Sequence, residues 1–202
     1  MRLCWVIFKH SVKEERPQDL QLLCDVINAN WENPLRGVPD LMADSLSSIL
    51  DLVNCRELDK ALWNQMAALS WKTKAKYPLM LVLLPRMGVF HVLESESDFA
   101  AHLVESLSSN HLTSAGTSVY RLIIRTPEIY DIWKAHVMPH VIHALVHDSR
   151  PLVRANCKHH WLNPTIKAMP AAADLLYTEL SSLAISDQSD IGNVQFRDNF
   201  AQ

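Results

Sequence analysis

A short turn signature recurs along this chain at nearly even spacing, and a chain that repeats itself at that period has few folds open to it. The clearest copy is Asp148-Ser-Arg-Pro-Leu-Val153-Arg154, an acid followed at fixed offsets by an apolar residue and a base. Asn33-Pro-Leu-Arg-Gly-Val38-Pro39 has the same skeleton. Weaker copies are Ser70, Ala75, Lys76 and Asn110, Ala115, Gly116. The period is about 38 residues, that of stacked helix pairs. The spacing therefore predicts an all-α fold, an α-solenoid of about four to five helical pairs. Such a chain works by presenting a surface.

Composition agrees. Apolar residues make up 49% of the 202, enough for a core without metal or disulfide support. Only four glycines occur, which favours helix over sheet and leaves little material for a phosphate-cradling loop. The net charge of −3 makes the whole chain no magnet for polyanions, so any basic patch has to be local. Cys4, Cys24, Cys55 and Cys157 form no C-x-x-C pair and fit no common zinc spacing; they read as reduced thiols of a cytoplasmic or nuclear protein. The apolar start is too short for a secretory signal, and the run Tyr77 to Leu84 stops at Pro85-Arg86, so no membrane span is expected.

Apolar periodicity places the helices. Pro17 to Asn30 and Val38 to Val53 make the first pair, on either side of the Asn33 turn. Leu58 to Leu69 and Thr73 to Met87 make the second, with Gly88 as its stop and with Pro78 and Pro85 expected to kink or shorten the latter helix. Ser97 to Ser108 follows, with Ser-Glu-Ser-Asp as its capping start, and then a short Thr117 to Arg125. Pro127 opens a long helix toward His147, bent at Pro139. Pro151 to Leu162 is its partner, interrupted by Asn163-Pro164, and Pro170 to Leu183 is last. Residues 1–185 read as one helical-repeat domain, and the polar tail 186–202 as frayed or disordered. No stretch alternates as a strand would.

The turn signature has a mechanical reading. The acid accepts free N–H groups at the start of the second helix. The valine packs inward between the pair. The arginine reaches an acid of the neighbouring pair and builds a ladder along the stack.

The spacing of Pro139, Leu145, Asp148, Val153 and Arg154 resembles the HEAT repeat. Longer stretches narrow the resemblance. Asn30-Trp31-Glu32-Asn33-Pro34-Leu35-Arg36-Gly37-Val38, then Trp71-Lys72-Thr-Lys74-Ala-Lys76-Tyr77 with Leu83 and Met87-Gly88, then Trp133 with Pro139, Leu145, Arg154, Leu162 and Pro164, are similar in order and spacing to blocks of the thyroid adenoma-associated protein family. Pro39 stands where that family carries a base. The resemblance covers about Asn30 to Met169 and implies a right-handed solenoid of HEAT/armadillo-like pairs, as a fragment or truncated member. It also implies a role: the non-catalytic, regulatory partner of a tRNA 2′-O-ribose methyltransferase acting in the anticodon loop, holding both tRNA and enzyme.

Charge layout is an independent clue. Ser70 to Val92 carries Lys72, Lys74, Lys76 and Arg86 and no acid. Asn110 to Pro127 carries Arg121 and Arg125 and no acid; Ser149 to Ala173 carries Arg150, Arg154, Lys158 and Lys167 and no acid. These are the second helices of their pairs, while the first helices lean acidic. Stacking would turn this alternation into a basic flank suited to a phosphate backbone or an acidic partner, with Lys72, Lys74, Lys76, Arg86, Arg121, Arg125, Arg154 and Lys158 as the contact residues. The same bases could instead serve ladders between repeats and solubility.

His136, His140, His143 and His147 share one helical stripe, which reads as a solvated face or, with a further ligand, a metal site. Trp63, Trp133 and Trp161 read as wedges between layers. There is no nucleophile elbow, P-loop or metalloprotease motif, and no cofactor is expected. The expected function is a scaffold in tRNA methylation. The alternatives are an adaptor that binds only protein, through exposed apolar ends of the stack, and a histidine-based metal sensor.

Overall fold

The computed structural model describes residues 56–188 and a few helical residues before them: Ala29, Ala43, Asp44, Leu46, Ser47, Ser48, Leu50 and Asp51. The expected first helix pair, the Asn33 turn and the Asn30 to Val38 block lie almost wholly outside the described residues, as does the tail beyond Gln188. Among the described residues every regular element is a helix and none is a strand. No single one of these helices is long and apolar enough to cross a membrane. Contacts divide the chain into two compact units, Met1–Gly88 and Val89–Gln202.

In the first unit, α1 (Arg56–Ala68) buries Leu58, Leu62, Trp63 and Met66, one face at helical spacing. α2 (Lys76–Met87) packs back against it, burying Tyr77, Leu79, Met80, Leu83 and Leu84. In the turn between them the Ser70 hydroxyl accepts the Lys72 N–H at 3.2 Å, a bond within the turn; the start of α2 at Lys76 has no side-chain cap, contrary to the reading of the turn signature. Pro78 falls in the first turn of α2, where its missing N–H costs nothing. The helix runs on through Pro85 to Met87. Gly88 then adopts φ 90° and returns its N–H to Leu84 O at 3.0 Å, a conformation that favours glycine.

The second unit opens with α3 (Val89–Ser95) and α4 (Phe99–Val104), which tightens into a 3₁₀ turn, Glu105–Ser108. The expected Ser-Glu-Ser-Asp cap does not form. Asp98 has φ −92° and ψ 0°, not the extended backbone that aims a carboxylate at a helix start, and makes no capping bond. α5 (Asn110–Ile124) begins about two turns earlier than Thr117. Ala115 and Gly116 are therefore helix interior, with Gly116 buried; only Asn110 of that weak signature marks a helix start. α6 (Tyr130–His136) and α7 (Met138–Val146) break at Val137, as Pro139 requires.

α8 (Pro151–Asn156) does not end at Asn163-Pro164. It passes through a π turn, Cys157–Leu162, into α9 (Asn163–Ala168). Pro164 has no N–H to give to the carbonyl four residues back, and its ring would press on that carbonyl. The wider π turn removes the conflict without breaking the helix. α10 (Ala171–Gln188) closes the described chain. α3 packs on α6, α4 on α7, α5 on the π turn and α9, and α7 on α8.

The core of this unit is aromatic. Tyr120 and Trp161 stack at 4.2 Å between ring centroids and 1° from parallel. Trp133 Nε1 donates to Tyr120 Oη at 3.3 Å, and the Tyr120 hydroxyl pairs with that of Thr165. All four side chains are buried; Trp133 and Trp161 are interior as expected, and Tyr120 joins them. The Trp161 indole N–H finds no acceptor among the described residues.

Candidate nucleic-acid interface

The eight bases singled out by sequence meet different fates. In the first unit Lys72 and Lys74 lie exposed in the α1–α2 turn. Lys76, grouped with them, is only 1% exposed. Its Nζ donates to Ala67 O (2.8 Å) and Leu69 O (2.7 Å) and lies 4.4 Å from the Trp71 ring centre. The last carbonyls of α1 have no helical donor, and the negative end of the helix favours a cation there. Lys76 is thus the cap of α1, not part of a surface. Arg86 is held by Asp59, Nε to Oδ1 at 2.7 Å, and more loosely by Asp51 at 3.6 Å.

In the second unit Arg154 donates to Asp148 O at 2.8 Å, within its own turn. The ladder expected of Arg154 is made by Arg150. Its two terminal nitrogens meet both carboxylate oxygens of Glu105, at 2.9 and 3.0 Å, in the 3₁₀ turn of the preceding segment. Asp148 accepts the Arg150 N–H at 2.9 Å, and Val153 is fully buried, both as the turn signature requires. Burial pushes the Asp148 carboxyl up, but the hydrogen bonds and charge of Arg150, with His143, outweigh it and hold it below the usual carboxylate range.

Arg121, Arg125 and Lys158 remain exposed. Arg121 and Arg125 are one turn apart on the same face at the end of α5. They share a cleft of about 890 Å³ with Lys167 of α9 and His159 of the π turn; Tyr130, Pro127, Pro164 and Met169 form its apolar wall. No ion pair among the described residues engages Arg121, Arg125 or Lys167. The elements that bear these side chains are those that pack the aromatic core: Arg121 follows Tyr120, His159 precedes Trp161, and Lys167 follows Thr165. The bases stand on rigid supports. The lining contains one carboxylate, Glu128, whose φ of 59° makes it the one non-glycine residue with positive φ among the described residues.

Lys158 is exposed on the π turn but does not line the cleft. Lys167, Tyr130 and Glu128 were not among the contact residues chosen from sequence. The acid-free stretch from Ser149 was the available signal for Lys167; nothing local marked the other two. Of the histidine stripe, His136 and His140 are half-buried and His143 and His147 exposed, and no group of three potential metal ligands exists among the described residues. Cys157 is buried, and burial foremost, with Asp148 beside it, pushes its thiol far up, which keeps it protonated and unreactive.

No family model, curated protein or solved structure matches this chain.

Proposed function

We propose that this chain is a non-catalytic RNA-holding scaffold, a right-handed solenoid of HEAT/armadillo-like helical pairs. It assists tRNA 2′-O-ribose methylation in the anticodon loop by binding the tRNA and the methyltransferase, the role implied by its resemblance to the thyroid adenoma-associated protein family. The carrying observation is a division of labour among the bases. Lys76, Arg86, Arg150 and Arg154 are engaged by internal partners, whereas Arg121, Arg125 and Lys167 converge on one cleft and form no ion pair among the described residues. Cations gathered in one open cleft suit a phosphate backbone. The solenoid reading is supported by contacts between neighbouring pairs of the second unit: α4 touches α7, α5 touches the π turn and α9, and α8 also meets the 3₁₀ turn that follows α4.

The test is tRNA retention on filters across a salt series. Arg121→Glu/Arg125→Glu should weaken retention about tenfold and flatten the salt slope by about 0.7 per lost phosphate contact, with far-UV circular dichroism unchanged. Lys72→Glu/Lys74→Glu should weaken it less. Retention that is absent in the wild type, or insensitive to salt, would sink the RNA reading.

A second reading is a protein-only adaptor. Tyr177 on α10 is 75% exposed, a large apolar ring without cover among the described residues. A methyltransferase or other protein that stays bound through nuclease and high salt, with no RNA recovered at low salt, would favour it.

A further inference from the structure

From the make-up of the basic cleft we infer that it is a single-stranded RNA site in which Glu128 selects ribose over deoxyribose. This rests on the RNA reading above and goes further by assigning the sugar. Four kinds of group meet there: Arg121, Arg125 and Lys167 as cations, His159 as a further ring donor or acceptor, Tyr130 with Pro127, Pro164 and Met169 as an apolar wall, and Glu128 as the lone acid.

A pocket for inorganic phosphate or triphosphate would gain nothing from a carboxylate, which repels a compact polyanion. A nucleic-acid strand differs, because its negative charges are spaced by sugars. Between two phosphates an RNA strand presents a 2′-hydroxyl, and its O–H is a donor that a carboxylate oxygen accepts. DNA presents no donor there, so Glu128 facing DNA would be left desolvated beside phosphates. The cations hold the strand and the acid reads the sugar. A duplex is disfavoured because its bases are paired and stacked, whereas an unpaired base is free to lie against the Tyr130 wall.

The backbone supports a dedicated role for this acid. Glu128 holds a left-handed conformation in which glycine, asparagine or aspartate is the usual occupant. It follows Pro127 in the α5–α6 turn, so its position is set by a fixed neighbour. A strained, charged, exposed residue at the lip of a basic cleft is where a binding role outweighs local preference.

The experiment uses fluorescence anisotropy of the full chain with a short labelled oligoribonucleotide and its deoxyribose counterpart. The wild type should prefer RNA by at least about fivefold, the worth of one hydrogen bond. Glu128→Ala, which removes both the charge and the acceptor oxygens, should tighten DNA more than RNA and shrink the preference to about twofold or less, with Glu128→Gln, whose amide oxygen still accepts, in between. Lys167→Ala should weaken both strands alike. RNA binding that Arg121→Ala, Arg125→Ala and Lys167→Ala leave unchanged overturns the cleft assignment while leaving the scaffold reading standing; no RNA binding at all overturns both. Equal affinity for the two strands in the wild type, or inorganic triphosphate competing as well as RNA, overturns the selector role of Glu128.

Discussion

Lys76 illustrates how far a side chain's neighbours in sequence can mislead. Three lysines alternate through a turn, and a charge run of that kind normally faces water. The third is instead the donor that closes the carbonyl end of α1, with Trp71 across its ammonium. Only the return of α2 against α1 makes that position interior, and no local pattern encodes the return. Lys76→Met should cost about 1.5–3 kcal/mol in urea unfolding, because buried carbonyls lose a charged donor. Lys72→Met, at an exposed position of the same turn, should stay within about 0.5 kcal/mol. Equal effects would show that Lys76 is not a cap. His140 yields a pH prediction. Burial first, and His143 second, lower its pKa below the ordinary 6.5, against the opposing pull of Asp98. The unfolded chain therefore binds this proton more readily than the folded one. Its contribution to stability is complete above the ordinary imidazole value and is lost as the pH falls from there toward the lower folded value. His140→Gln should flatten the melting temperature between about pH 7 and pH 5. A slope identical to the wild type would assign that limb to other groups.

At the level of elements, strong apolar periodicity made the helices legible while their joins were not. The α1 stripe, the stop at Gly88 and the break before Pro139 follow from spacing, glycine and proline, local causes that sequence displays. The start of α5 and the continuity of α8 into α9 depend on packing. Asn110 to Gly116 looks like a turn by composition, yet Leu112, Thr113 and Gly116 have core to face, and the helix extends to cover it. Likewise Asn163-Pro164 should interrupt a helix, but the π turn absorbs the proline and keeps Trp161 on Tyr120. The cleft inherited the same difficulty. Arg121 and Arg125 could be chosen because they share a helix, but Lys167 joins them only through the register of the π turn. Two causes fix that register: the missing N–H of Pro164, and the packing of Trp161 and Thr165 around Tyr120. Pro164→Ala removes the first alone. It should lower stability by about 0.4–1 kcal/mol through the freer unfolded chain and leave the near-UV signal of the stacked rings intact. Trp161→Ala removes the second and should cost about 3–5 kcal/mol. A changed near-UV signal in Pro164→Ala would mean that the proline alone holds the turn open.

For the molecule as a whole, the division at Gly88 separates two kinds of basic residue. The Met1–Gly88 unit offers Lys72 and Lys74 on a turn, while the Val89–Gln202 unit has the cleft, its aromatic support and the Arg150 ladder. Tyr120, Trp133, Val141, Val153 and Trp161 of the second unit are buried, and the unit's size is near that at which single domains are commonest. The Arg150–Glu105 arm of its ladder is partly exposed and, screened by salt, contributes at most about 1 kcal/mol, so the core has to supply the stability. A chain of Val89–Gln202 should therefore be helical and melt cooperatively by circular dichroism. If the cleft dominates RNA affinity, this piece should retain binding within about fivefold of the full chain and lose it on Arg121→Glu/Arg125→Glu. A folded piece that binds no RNA while the full chain does would move the interface to the Lys72 turn. A piece that fails to melt cooperatively would mean that its core is completed by residues before Val89.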